Sequence, residues 1–178
     1  MSFRFEDIIK FEKITWEELP DFGLYSEQLI SFMEDKLKSL YLEDEKIITP
    51  SMINNYVKLN MMPKPKNKKY YREHIAHLLV ISILKSILPI KDINKGIGLQ
   101  VEIMGIENSY NEFMDILEKT MNNILKSFNE KDRNFVYKGF SGSFENISLT
   151  FVIQAFCFQV LTKMILNMKG LYHLKGEK

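Results

Sequence analysis

Only one cysteine, Cys157, occurs in the 178 residues, so neither an intramolecular disulfide nor a zinc cage built from cysteines can form. That fits a reducing, cytoplasmic setting. Eight glycines and five prolines are too few for the many turns of an all-β fold, and 46% hydrophobic residues is too many for a disordered chain. The start, MSFRFEDIIKFEK, lacks a basic stretch leading into an unbroken apolar core and does not read as a secretion signal. The most apolar run, LTFVIQAFCFQVLTKMIL, is broken by Gln154, Gln159, Thr162 and Lys163, each costly in a lipid-facing helix. It reads as a buried helix rather than a membrane span. Because it is apolar on more sides than so small a protein can cover, a subunit interface is its second use. Phosphate loops, nucleophile elbows and paired-carboxylate motifs are all missing. The GIG at 96–98 follows a helix rather than a strand and lacks the remaining glycine of a dinucleotide fingerprint. Nothing argues for an enzyme, a catalytic residue or a cofactor.

One further absence is local. Residues 46–72 contain six Lys, one Arg and no acid, net +7, directly after residues 1–45 with net −7, inside a chain whose total charge is +1. A lysine-rich loop in solvent, or pairing with the acidic N-terminal segment, would each account for such a run. An acid-free window that coincides with one structural unit fits a phosphate-facing surface better.

What is present is helical periodicity. In TWEELPDFG, Thr15 and Glu18 form a short capping box before Pro20 and Gly23 break the chain, so residues 1–25 read as an N-terminal arm. From Ser26, Leu29, Ile30, Met33, Leu37, Leu40 and Tyr41 recur on one face of an amphipathic helix. Thr49 is a good N-cap and Pro50 belongs at the first helical position; in the helix that follows, Ile53, Tyr56, Val57 and Met61 share one face. Ser51, Asn54, Asn55 and Lys58 make a polar stripe on the other. Asparagine costs roughly 0.6 kcal/mol relative to Ala in a helix, so two of them point to a use other than helix stability. Asn60 falls where a left-handed C-terminal residue is expected. MMPKPKNKKYY predicts a short proline-interrupted hairpin with Lys66 and Asn67 near its tip, and REHIAHLLVISILKSIL a central core helix. A short helix follows, ending at Gly96 or Gly98. Ser109 and Glu112 predict a capping box for a long amphipathic helix, and a Gly- and Ser-rich loop leads to a final apolar helix over about 145–168.

The span 48–93 resembles the DNA-binding domain of the MerR family of bacterial transcription regulators. MINNYVKLNMMPKP is similar to that family's recognition-helix motif, with Ile53, Tyr56, Lys58, Asn60 and Met61 in the matching places. KKYYREHIAHL resembles the wing end and third helix, with Lys69 and Tyr70 where the family has an Arg-Tyr pair that meets the DNA backbone. SILPIKDI resembles the closing turn. The sequence departs from the pattern in having Asn60 for Gly, no strongly basic residue near Asn54, and a long gap between the first two helices. SMINNYVK together with KKYY and HIAHL resembles more closely an uncharacterised family of Gram-positive bacteria (DUF1836-like), which brings no known activity.

The expected fold is mainly α: an arm (1–25), a MerR-like winged helix-turn-helix (26–98) and an all-helical dimerisation or effector region (99–178). The resemblance implies a dimeric transcription regulator whose partner is double-stranded DNA. Its helix over 50–59 would turn Ser51, Asn54, Asn55 and Lys58 towards the bases, while Lys64, Lys66, Lys68, Lys69 and Tyr70 hold phosphates. The alternative is a protein-interaction module on the same scaffold, its basic face docking an acidic partner or its own acidic arm. His74 and His77, beside Glu73, lack further metal ligands nearby and read as surface or capping histidines. Met52, Met61 and Met62 read as core filling, and Cys157 as a buried, inert thiol. A small-molecule effector is possible but has no support in the sequence, and no membrane partner is expected.

Overall fold

The computed structural model describes residues 11–129, 134–139 and 142–171; the first ten residues of the arm and the last seven of the chain lie outside them. Among the described residues there are five α-helices, α1 (Ser26–Leu37), α2 (Pro50–Lys58), α3 (Arg72–Leu84), α4 (Ile90–Leu125) and α5 (Ile147–Asn167). Short 3₁₀ turns occupy Trp16–Glu18 and Lys38–Leu40. The mainly helical class therefore holds.

The amphipathic pattern of α1 buries Leu29, Met33 and Leu37, with Tyr25 as its N-cap and Ser26 already inside the helix. α2 begins as its sequence requires: Pro50 is helical from the start, and the Met52 N–H donates to Thr49 Oγ1 at 3.2 Å. It ends in a Schellman motif. Asn60 takes φ 53°, its N–H donates to the Val57 carbonyl at 3.1 Å, and the Met61 N–H reaches back to Tyr56 at 3.0 Å. α3 is buried nearly all round and forms the centre of the molecule.

α4 departs from expectation. Gly96 and Gly98 do not stop it; the helix runs on to Gly105, where φ 78° and ψ 163° impose a kink that only glycine adopts readily. The helical path resumes directly, so Ser109 is an interior residue whose Oγ donates to the Gly105 carbonyl at 2.6 Å rather than capping a new helix. Glu112 instead accepts from the side chain of Asn146, the residue that precedes α5. Beyond α4, a two-residue antiparallel pairing, β1 (Phe128–Asn129) with β2 (Asn134–Phe135), leads towards α5.

The arm is not loose over its described part. Ile14, Leu19 and Leu24 are buried, Thr15 and Glu18 form the expected capping box, and the Trp16 N–H donates to Asn111 Oδ1 at 2.9 Å. Lys13 pairs with Asp115 at 2.6 Å. Leu24 then pairs with Tyr70 in an antiparallel bridge, each N–H donating to the other's carbonyl at 2.8 Å. The arm thus straps the second limb of α4 to the hairpin after α2.

Candidate nucleic-acid interface

The polar stripe of α2 sits as its spacing requires. Ile53 and Tyr56 are buried, while Ser51, Asn54, Asn55 and Lys58 are exposed on the opposite face. None of the four is drawn into a hydrogen bond or ion pair by its side chain among the described residues.

After the reversal at Asn60, the buried Met61 and Met62 anchor the chain, and residues 63–70 form the hairpin. Lys66 and Lys69 exchange both backbone hydrogen bonds at 3.0 Å, so the turn has two residues, Asn67 and Lys68, at φ 53° and 61°. Positive φ at both central positions defines a type I′ turn, the geometry that matches the twist of a tight hairpin. Glycine is the usual occupant of the second position, and here it carries a lysine. Lys64, Lys66 and Lys68 are exposed. Lys66 approaches Glu73 at 3.7 Å, Lys69 Nζ lies 5.1 Å from the centre of the Tyr25 ring, and no described carboxylate pairs with Lys58, Lys64 or Lys68.

Tyr70 is placed differently from the lysines grouped with it. Strand alternation sends Lys69 and Tyr71 to one side and Tyr70 to the other, where it is 6% exposed and packs edge-on against His74 at 5.7 Å. Burial pushes its phenol pKa up. His74 is fully buried and acts as a clamp: its Nδ1 accepts the Tyr71 N–H at 3.0 Å, which leaves the proton on Nε2 to donate to the Lys64 carbonyl at 3.2 Å. One imidazole therefore caps α3 and fixes the start of the hairpin. His77 turns its Nδ1 to the Glu73 carbonyl at 2.7 Å, so each ring has a backbone partner.

Two features of this region were not visible in the sequence. Gly23 lies so close to the hairpin that a Cβ there would stand 2.8 Å from Lys69 Cβ and 2.9 Å from the Tyr71 ring. Its role was disguised as a simple chain breaker. Beside it, Phe22 and Tyr25 are 64% and 53% exposed, which sets aromatic surface next to the lysines. Arg72, counted in the basic window, is drawn inward: its Nε donates to the Leu19 carbonyl at 3.1 Å and its guanidinium lies 5.8 Å from the Trp16 ring centre.

Residues 14–116 match a family described as a domain of unknown function (DUF1836), and the chain belongs to that family. The matched span begins in the strap and ends in the second limb of α4. No curated protein and no solved structure matches the chain.

Proposed function

We propose that the protein is a non-catalytic, sequence-specific double-stranded DNA-binding protein of the cytoplasm, a dimeric regulator built on a MerR-like winged helix-turn-helix. α2 is its major-groove helix and the 63–70 hairpin its wing. The observation that carries this reading is Lys68. A non-glycine residue in the left-handed region costs roughly 1 to 2 kcal/mol, and a lysine kept at φ 61° at the tip of an acid-free hairpin is best explained by a use for its charge. A phosphate backbone supplies that use. The exposed asparagines of α2 support it, since an Asn amide reads adenine through N6 and N7. Lys64, Lys66, Lys68 and Lys69 are the phosphate contacts, and Tyr70 holds the wing strand from beneath.

The test is a titration of the full chain with duplexes selected from a random pool, repeated at rising salt. Replacing Lys64 and Lys66 with Ala lowers affinity for every duplex and reduces the salt slope by about 1 to 2 units. Replacing Asn54 or Asn55 with Ala leaves the slope alone and costs about 1 to 3 kcal/mol of discrimination at an A·T pair. Wild-type protein that binds no duplex at low salt would overturn the reading and leave an acidic protein partner as the better account of the basic face.

A further inference from the structure

Away from the basic face, α3, both limbs of α4 and α5 surround a cavity of about 600 Å³. Its walls are apolar, formed by side chains such as Val80, Ile97, Phe113 and Val152. The space opens to solvent past the exposed Leu99, and its size falls in the range of small-molecule sites. Residues on both sides of the Gly105 kink contribute to the lining.

The polar lining includes Tyr110, Gln100 and His77, besides Ser109, whose hydroxyl is engaged by the Gly105 carbonyl, and the exposed Ser148. The Tyr110 hydroxyl and Gln100 Oε1 are buried and have no hydrogen-bond partner among the described residues. Such groups are costly to leave unsatisfied. His77 offers the third, since its Nδ1 is engaged by the Glu73 carbonyl and its Nε2 remains as an acceptor. Burial lowers the His77 pKa, which keeps the ring neutral. The two charged residues of the lining, Asp92 and Lys95, are both exposed. Nothing inside would balance a charged ligand.

We infer that this cavity is a binding site for an uncharged, largely apolar small molecule carrying a hydroxyl or similar group, which accepts from Tyr110 and donates to Gln100 or His77. The site is separate from the basic face and stands whether or not that face binds DNA.

Titration of the full-length chain with N-phenyl-1-naphthylamine, an uncharged fluorescent amine, tests this. One molecule per chain is expected to bind saturably in the micromolar range. Val80→Phe and Val152→Phe, which add bulk at half-buried wall positions, each weaken binding tenfold or more without lowering the melting temperature. Displacement of the probe tests the polar group: 2-naphthol competes at least several-fold better than naphthalene in wild type, and Gln100→Leu narrows that preference. Absence of saturable binding, or equal binding by both wall variants, would overturn the site. A protein that refuses the probe and loses self-association on Val80→Phe assigns the mouth to a second copy, which also overturns it.

Discussion

Lys68 occupies a position where glycine would cost the backbone less. If its charge is the reason it is there, stability and binding part company when it is removed. Lys68→Gly relieves left-handed strain of about 1 kcal/mol and raises the urea midpoint, while duplex affinity falls for all sequences alike. A glycine variant that is more stable and binds as tightly would leave Lys68 without a function in the hairpin. Cys157 makes the opposite case of a residue whose chemistry is suppressed. It is fully buried, and burial pushes its thiol from 9.0 up to about 12. The folded state therefore favours the protonated form: the stability this gives is complete below the unfolded value near 9 and is lost as pH rises towards 12. Thermal midpoints between pH 9 and 11 fall more steeply for wild type than for Cys157→Ala, since the phenols of Tyr41, Tyr56, Tyr70 and Tyr110, which burial also pushes up, are present in both. Parallel slopes would show that the thiol is not held protonated.

Helices announce themselves where their ends are made locally, and the two glycine-rich regions of α4 show the limit of that rule. Thr49, Pro50 and Asn60 fix both ends of α2 through hydrogen bonds within a few residues, so the element was legible from the sequence. The same holds for the two-residue turn at Asn67 and Lys68. Gly96 and Gly98 look like stops but are helical, because Ile93 and Ile97 hold that limb against the core, and packing overrides propensity. Gly105 carries the break instead, and nothing nearby in sequence marks it. Of the candidate interface, the α2 stripe was legible from its spacing of three and four. Tyr70 was not, because its resemblance to a DNA-contacting pair hid the alternation that turns it inward. The cavity was illegible, since α3, α4 and α5, far apart in sequence, line it together. The glycines give a test with opposite signs. Gly105→Ala meets no atom within 4 Å but must adopt a positive φ, so it destabilises by about 1 to 3 kcal/mol. Gly96→Ala also meets nothing within 4 Å and sits in ordinary helical geometry, so it stabilises by about 0.5 to 1 kcal/mol. Urea midpoints that move in the same direction for both would mean that the kink is not confined to Gly105.

Among the described residues, one helix is left half covered. α5 buries Ile153, Phe156, Cys157, Val160 and Leu161, while Phe151 and Leu166 are 56% and 69% exposed on other sides of it. By length and composition α5 is apolar enough to cross a membrane, with a mean hydropathy of 1.7 over its most apolar window. Its polar side chains point to another use, for Lys163 pairs with Glu45 and Gln159 donates to the Ser86 carbonyl at 3.2 Å, tying the helix to the body of the protein. The exposed side of a helix of 21 residues runs about 32 Å, enough to meet its own copy around a two-fold axis. We expect the full chain to sediment as a dimer at micromolar concentration. Leu166→Glu should give a monomer with its helical content intact, because that side chain lies outside the core. On the proposed DNA-binding reading, gripping two half-sites needs the dimer, so this variant should also lose most of its affinity for a palindromic duplex while keeping weak, salt-sensitive binding to a half-site. A wild-type protein that sediments as a monomer removes the interface; a dimer unaffected by the glutamate moves it to another face.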